Sequence, residues 1–304
     1  MKGLRKIVDN VKPTFTEGGK LGFLASFFDA IETFLFVPNT TTKKGSHIRD
    51  CIDMKRTMFF VVIALIPAFL FGCYNTGSQV GLEGFAAMMY GLVRVLPMLA
   101  VSYVVGLGIE IVYAQIRKEE VAEGYFVTGF LIPMIMPVST PLWMVALGVA
   151  FAVIFGKEVF GGTGMNVFNP ALLARAFVFF AYTPFMSGET VWVAGLGKAE
   201  AGMIADGFSG ATALEQLSTT GAMNYSISEA LIGLMPGCVG ETSVIAIAIG
   251  ALILLGSGVA SWRTMVSVFV GGLAMGLLFN AVGANAYMEV PAYTHLLVGG
   301  FAFG

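Results

Sequence analysis

Charged residues are scarce in this chain of 304 residues. They make up 12% of it, against about 25% in an average soluble domain, while 57% of the residues are hydrophobic. The mean hydropathy is +0.82. So little charge excludes an ordinary soluble domain, and the composition predicts a membrane protein. The net charge of −2 shows no basic excess, which excludes a nucleic-acid binder.

Cysteine and histidine are also sparse. The three cysteines, Cys51, Cys73 and Cys238, stand far apart in the sequence, which excludes a zinc motif and a disulfide framework. The two histidines, His47 and His295, have no second His or Cys at ligand spacing. The sequence therefore predicts no metal site.

The first 56 residues form a charged arm that holds more than half of the 17 basic residues. Apolar side chains recur there at helical spacing between polar ones: Leu4, Ile7, Val8 and Val11. This pattern is unlike the uninterrupted apolar core of a cleavable signal peptide. Residues 21–36 are more apolar but contain two acids. We predict cytoplasmic or interfacial helices that lie on the membrane rather than through it.

Apolar runs follow from residue 57 and predict an all-α polytopic membrane protein. A bilayer core of about 30 Å requires about 20 residues of straight helix. Several runs are shorter than this, and Pro133, Pro137 and Pro141 interrupt one pair. Such broken or half helices end inside the membrane around a cavity. The runs are 57–74, 85–116, 125–137, 142–155, 170–182, 244–259, 265–282 and one starting near Tyr293.

Basic residues between the runs indicate the orientation. A cytoplasmic N-terminus leaves Arg94 and Lys198 facing outward and puts the others at the inner surface: Arg117, Lys118, Lys157, Arg175 and Arg263. The acidic connection, residues 183–243, then faces outward. We expect four regions: the arm (1–56), a first membrane repeat of about five helices (57–182), the outward loop (183–243) and the start of a second repeat (244–304).

A weak internal similarity predicts that the two repeats are inverted. Residues 126–130 read Phe-Val-Thr-Gly-Phe, and residues 297–301 read Leu-Val-Gly-Gly-Phe. A five-helix inverted repeat makes the sixth run cross in the direction opposite to the first. The sequence ends within the eighth run, so we expect the natural protein to continue through further helices.

The outward loop contains one hydroxyl among small residues. In the segment Asp206-Gly-Phe-Ser-Gly-Ala-Thr-Ala-Leu214, Thr212 is flanked by Gly210, Ala211 and Ala213, so a bulky reagent has room to reach it. The alternative is a helix start, with Ser209 as N-cap and Thr212 in the first turn. Spacing leaves both interpretations open.

This segment resembles a known motif. Ser209-Gly210-Ala211-Thr212, after Asp206 and Gly207, is similar to the flavinylation motif in a membrane subunit of the sodium-translocating NADH:quinone reductase and in its counterpart in the related Rnf complex. The resemblance implies that a flavin transferase joins the phosphate of FMN to the Thr212 hydroxyl outside the membrane. Other segments resemble the reductase subunit along the whole chain, and the long arm favours it over its Rnf counterpart: 47–56, 123–128, 157–164, 169–172 and 299–304.

Glu110 is the main acid within a predicted span, and Gly106 shares its helix face. A lone carboxylate there costs about 2.5–3.5 kcal/mol, so it should face a partner, water or an ion. Arg94 is about 24 Å away along the helix and cannot neutralise it. The alternative is a side chain that extends to the inner surface near Arg117 and Lys118. In the family, the matching acid lies in the ion and quinone region.

The resemblance also implies a noncovalent riboflavin bordered by Asn166 and Asn169. The alternative is helix capping, because Asn169 followed by Pro170 is a typical N-cap and N1 pair. Phe177 and Phe179 match family positions beside the quinone headgroup, although packing in the core or against lipid is the ordinary role of such side chains.

The resemblance implies a redox subunit of the bacterial inner membrane that passes electrons from covalent FMN through riboflavin to quinone, coupled to Na⁺ movement. Partner subunits would carry NADH, FAD, iron–sulfur and a second FMN, since this chain has neither a dinucleotide fingerprint nor a cysteine cluster. Two alternatives remain open. One is an Rnf-type subunit between ferredoxin and NAD, and the other is a non-redox channel of inverted-repeat fold.

Overall fold

The chain is helical in the computed structural model, which describes residues 2–15, 28, 32, 42, 44–46, 48, 54–117, 121, 124–195, 210–298 and 300–304. No strand occurs within these ranges, which confirms the all-α class. The helices are α1 (Lys2–Phe15), α2 (Met54–Ser78), α3 (Gly84–Arg117), α4 (Tyr125–Ile135), α5 (Leu142–Gly156), α6 (Pro170–Ala181), α7 (Ala213–Thr220), α8 (Ile227–Ile232), α9 (Val244–Gly256), α10 (Trp262–Val282), α11 (Ala286–Glu289) and α12 (Ala292–Leu297).

Helix lengths confirm a polytopic membrane protein that mixes long and short helices. Four segments of the described chain are long and apolar enough to cross a bilayer: Met54–Ser78, Gly84–Arg117, Leu142–Phe160 and Trp262–Val282. The helices α4, α6 and α9 are apolar but shorter, as the broken runs predict. At 1.5 Å per residue, the 12 residues of α6 extend over about 18 Å, which is little more than half of the hydrocarbon core.

The two similar pentapeptides adopt different structures. Residues 126–130 lie inside α4, whereas residue 297 is the last of α12 and turns follow it. The predicted eighth run is therefore a helix of six residues at this point. The pentapeptides do not open equivalent helices, and the inverted repeat stays a prediction.

The charged arm begins with the helix that its apolar spacing predicts. Arg5 Nη2 and Lys12 Nζ of α1 lie 3.2 Å and 2.7 Å from the carboxylate oxygens of Glu32, and the Phe15 and Phe28 rings stack at 5.0 Å. Glu32, one of the two acids in the second apolar stretch, is thus the ion-pair partner of the first helix. Most of residues 16–53, including His47 and Cys51, lie outside the described residues.

Small residues bring the membrane helices close together. A Cβ atom at Gly77 would overlap the backbone of Ala87, and one at Gly91 would overlap the backbone of Cys73, so α2 and α3 form an antiparallel pair in near-backbone contact. Gly250 of α9 approaches the backbone of α2 in the same way. A core of apolar side chains from α3, α4, α5 and α6 packs beside this group.

Candidate functional site

Thr212 lines a cavity of about 170 Å³ between α6, the start of α7 and residues 235–242. Arg175 from the middle of α6 and Glu241 lie in its wall, with Arg175 Nη1 only 2.7 Å from Glu241 Oε1. Trp192 and Cys238 also line it. The cavity thus combines a hydroxyl, a guanidinium and a carboxylate.

Thr212 is the N-cap of α7. Its backbone is extended, with φ −65° and ψ 155°, and its Oγ1 accepts the Glu215 N–H at 3.2 Å. The alternative that puts Thr212 in the first helical turn is therefore wrong, because the helix starts one residue later. The bond uses one acceptor site of the hydroxyl, whose O–H group and second lone pair stay available for chemistry.

The small neighbours of Thr212 pack inward. Gly210, Ala211 and Ala213 are buried, whereas Thr212 is half-buried. A reagent would reach the hydroxyl from the cavity rather than across the flanking residues. Asp206, Gly207 and Ser209, the first part of the predicted motif, lie outside the described residues.

The ion pair in this cavity contradicts one part of the predicted orientation. The charge pattern predicts Arg175 at the inner surface and Glu241 in the outward loop, yet the two side chains are in direct contact. Arg175 projects from the middle of a short helix into a cavity, so its charge needs no membrane surface. The prediction that Arg175 and Glu241 lie on opposite sides of the membrane is wrong, because their side chains are in contact.

A second polar cluster surrounds Glu110. Glu110 on α3 and Lys157 at the end of α5 form an ion pair, and each residue is only 3% exposed. The alternative in which Glu110 extends to the inner surface is therefore wrong. Arg117 instead pairs with Glu158, with Nη1 at 3.7 Å from Oε2, and Lys118 lies outside the described residues.

The charge pattern of the sequence does not identify Lys157 as the partner of Glu110. It indicates a surface charge there, because Lys157 follows an apolar run. One signal pointed to a pairing: a carboxylate within a span should face a partner, water or an ion, and Lys157 directly follows a neighbouring apolar run. The distance of 47 residues between the two hides the pairing in the sequence.

Gly106 lies in the same cluster, as the shared helix face predicts. A Cβ atom at Gly106 would overlap the ring and hydroxyl of Tyr125. The Tyr125 hydroxyl donates to the Ser102 carbonyl oxygen at 2.7 Å, and the Lys157 ammonium lies 6.0 Å from the centre of the Tyr125 ring. Tyr125 thus connects α3, α4 and the Glu110–Lys157 pair.

The two asparagines make local hydrogen bonds. Asn169 caps α6, since its Oδ1 accepts the Ala171 N–H at 2.9 Å and the Leu172 N–H at 3.5 Å. This confirms the capping interpretation for Asn169. Asn166 Nδ2 donates to the Phe168 carbonyl oxygen at 2.8 Å. Within the described part of the chain, neither asparagine lines the cavity of Thr212.

The two phenylalanines face different environments. Phe177 stacks on Phe151 with ring centres 4.2 Å apart and packs against the core. Phe179 is 39% exposed and makes an edge contact with Phe180 at 5.5 Å. Because they are two residues apart on a helix, their side chains point to nearly opposite sides of α6. The structure does not bring them together at one site.

Comparison with known proteins gives concordant matches. The family model described as "NQR2, RnfD, RnfE family" matches residues 41–304. The chain is 41% identical to a subunit of the Na(+)-translocating NADH-quinone reductase of Chromohalobacter salexigens, with 99% of this chain and 79% of that protein covered. For the same subunit from Ectopseudomonas mendocina and from Pseudoalteromonas atlantica, the identities are 42% and 38%, and each match covers 99% of this chain and 81% of that protein.

Proposed function

The chain belongs to the NQR2, RnfD, RnfE family, and on this basis we propose that it is a membrane redox subunit of a Na⁺-translocating NADH-quinone reductase, with FMN attached covalently to Thr212. It passes electrons from this FMN through riboflavin to quinone, and the transfer is coupled to Na⁺ movement. One observation carries the proposal: the Thr212 hydroxyl stands at a helix N-terminus in a cavity that also contains Arg175.

The residues around Thr212 fit a phosphate group. The N-terminus of α7 provides backbone N–H groups and the positive end of the helix dipole, which favour an anion. The Arg175 guanidinium adds a fixed positive charge with several N–H donors. Both groups would stabilise the single negative charge of the phosphodiester that joins FMN to Thr212.

The size of the cavity indicates which part of FMN it holds. Pockets that enclose a whole small molecule have volumes of roughly 300–1,000 Å³. At about 170 Å³, this cavity has space for the phosphate and the adjoining part of the ribityl chain. The isoalloxazine ring, which supplies the redox chemistry, would lie outside it and remain open to a partner.

Glu241 shares Arg175 with the incoming phosphate. Before flavin attachment, the carboxylate holds the guanidinium at the cavity wall. The negatively charged phosphodiester and the carboxylate repel each other, so attachment weakens the Arg175–Glu241 pair in favour of an Arg175–phosphate pair. Arg175 is therefore a positioning residue for the attachment of the flavin.

The remaining site residues belong to the same proposal. Asn166 and Asn169 border riboflavin, since each carboxamide keeps an N–H donor beyond the bonds described above. Gly106 and Glu110 belong to the ion and quinone region. We also assign Phe177 and Phe179 to the region of the quinone headgroup, which they would border from opposite sides of α6.

We place the protein in the bacterial inner membrane with its N-terminus in the cytoplasm and the Thr212 loop outside. Its partners are the subunits that carry NADH, FAD, iron–sulfur and a second FMN, together with a flavin transferase.

Fluorescence of the denatured chain in a gel tests the covalent flavin. The wild-type chain, made together with a flavin transferase, should fluoresce, and Thr212→Ala should be dark. Thr212→Asn is the matched control, because asparagine keeps an N-cap oxygen but has no hydroxyl to esterify. It should fold like the wild type and stay dark. A dark wild-type chain, or a fluorescent Thr212→Asn chain, would contradict the proposal.

The same experiments separate the alternatives. A flavin bound to Thr212 excludes a purely passive channel. An Rnf-type subunit would also carry the flavin, but its complex would not reduce quinone. Na⁺-stimulated quinone reduction by the assembled complex therefore distinguishes the proposed function from the Rnf alternative.

A further inference from the structure

The Glu110–Lys157 ion pair is incomplete. The carboxylate and the ammonium are in contact, and both residues are almost fully buried. The second carboxylate oxygen, Oε2, is also buried but has no hydrogen-bond partner among the described residues. Buried polar atoms in proteins are nearly always satisfied, so an orphan acceptor on a buried carboxylate requires an explanation.

A purely structural role explains this pair poorly. Moving two charges out of water is expensive, and a buried pair stabilises a fold only when its remaining hydrogen-bonding positions are filled. Apolar side chains of similar volume do at least as well in most cases. Oε2 instead remains an acceptor without a partner among the described residues, and a second cation at the same carboxylate would satisfy it.

We propose that Lys157 is a tethered counter-cation of Glu110, and that a Na⁺ ion binding to this carboxylate displaces the Lys157 ammonium. The inference rests on the proposed function, in which Na⁺ passes through this subunit. Lys157 keeps the buried carboxylate neutralised while the ion is absent, and Na⁺ neutralises it when the ion is bound. A cation therefore stays at Glu110 in both states.

The surroundings of Lys157 allow this exchange. Lys157 is the C-cap residue of α5, where the last carbonyl groups and the negative end of the helix dipole attract a cation. The Tyr125 ring lies 6.0 Å from the ammonium and offers its electron-rich face. A lysine side chain has a long, flexible stem, so its ammonium can move to these positions while the backbone stays in place.

The face of α3 that carries Glu110 also offers oxygen atoms that suit a hard cation. Ser102 lies two turns before Glu110 on this face, and its hydroxyl is 3.4 Å from the Tyr125 hydroxyl of α4. Hydroxyl, carbonyl and carboxylate oxygens are the ligands that hard cations prefer. The cluster offers no soft ligand among its described members.

Replacing Lys157 in the assembled complex tests the inference. Without the competing ammonium, Lys157→Met should lower the Na⁺ concentration for half-maximal stimulation of quinone reduction by about tenfold, within the usual range of coupling between two sites. Lys157→Arg should raise it, since a guanidinium binds a carboxylate with two parallel hydrogen bonds and is harder to displace. If Lys157 had only a structural role, the two variants would not change the Na⁺ concentration for half-maximal stimulation in opposite directions.

A second readout does not depend on turnover. The thermal midpoint of the purified complex should rise with added NaCl relative to choline chloride. For Lys157→Met, this rise should begin at lower NaCl than for the wild type. If Lys157→Met fails to assemble, Lys157→Arg alone tests the inference, because it should raise the Na⁺ concentration needed for half-maximal stimulation. The inference would be overturned if the Na⁺ concentration for half-maximal stimulation were the same in both variants as in the wild type. It would also be overturned if both variants shifted this concentration in the same direction.

The outcomes also separate this inference from the proposed function. A wild-type complex whose quinone reduction shows no Na⁺ stimulation contradicts the proposed function itself. A Na⁺-stimulated wild type with Lys157 variants that behave like it contradicts only the exchange at Glu110.

Discussion

The ring of Tyr125 occupies the space where Gly106 lacks a side chain. A Cβ atom at position 106 would overlap the ring carbon Cζ and the hydroxyl. With the ring seated there, the hydroxyl donates to the Ser102 carbonyl oxygen one turn earlier on α3. The first residue of α4 is thereby fixed against α3, on the helix face that also carries Glu110.

Gly106→Ala should destabilise the protein. The added methyl group has to displace a fully buried Tyr125, and overpacking of this kind costs about 1–3 kcal/mol. Thermal unfolding of the purified chain in detergent measures the loss. Gly108→Ala is the control on the same helix, because nothing lies within 4 Å of the position of its Cβ, and it should be neutral or stabilising. Equal midpoints for the two variants would contradict the packing argument.

Arg175→Gln should slow flavin attachment at Thr212. A hydrogen bond to a charged group is worth about 1.5–3 kcal/mol, so losing the guanidinium should lower the initial rate at least roughly tenfold. The in-gel fluorescence of timed samples gives this rate. Glu241→Gln removes the competing carboxylate and should leave the rate unchanged or higher. Since Arg175→Gln leaves Glu241 unpaired, the double variant is the control for folding. Normal attachment in both Arg175 variants would contradict the role of Arg175.

Replacements of Asn169 separate capping from cofactor binding. Asn169→Ala should lose about 0.5–2 kcal/mol of stability, because Oδ1 caps α6. Asn169→Asp keeps a capping oxygen and should stay near wild-type stability. If the amide N–H also contacts riboflavin, Asn169→Asp should contain less extractable riboflavin than the wild type. If Asn169→Asp contains as much riboflavin as the wild type, Asn169 only caps α6 and does not contact the cofactor.

Glu229 should make α8 more stable at neutral than at acidic pH. The backbone N–H and hydroxyl of Ser226 donate to this exposed carboxylate and lower its pKa from the ordinary value of 4.5. A lowered pKa in the folded state adds stability above the unfolded value, and this stability is lost as the pH falls through the folded value. The difference in thermal midpoint between the wild type and Glu229→Gln should therefore be largest near neutral pH and shrink below pH 4.5.

Glu229→Gln is a matched control because glutamine also completes a capping box but does not titrate. A difference in midpoint that stays constant from neutral to acidic pH would show that the Ser226–Glu229 contact does not depend on the charge.

The helices were largely predictable because each depends on nearby residues. The run 142–155 became Leu142–Gly156, and the run 170–182 became Pro170–Ala181, with Asn169 as the predicted N-cap. Inside a bilayer every backbone N–H and C=O must find a partner within the segment, so an apolar run almost dictates a helix. The N-cap of α7 lies three residues after the Ser209 of the helix-start alternative, since Ser209 and Thr212 are both good N-caps and spacing does not choose between them.

The charged pairs were not predictable from the sequence. Glu110 is recognisable as a buried acid that needs a partner, but the charge pattern puts Lys157 at the surface. The same pattern puts Arg175 and Glu241 on different sides of the membrane although their side chains are in contact. The partners are 47 and 66 residues apart, and local patterns carry no information on contacts at that separation.

The sequence by itself determined the membrane class, the positions of the longer apolar helices and the hydroxyl that resembles a flavin attachment site, because these follow from composition, apolar run length and a contiguous motif. Only the tertiary structure decided which charged side chains are in contact with one another. It joined Thr212 with Arg175 and Glu241 in one cavity, and Glu110 with Lys157 in another cluster. The physical reason is that an ion pair depends on the few ångströms between two side chains, and that distance is set by how the helices pack.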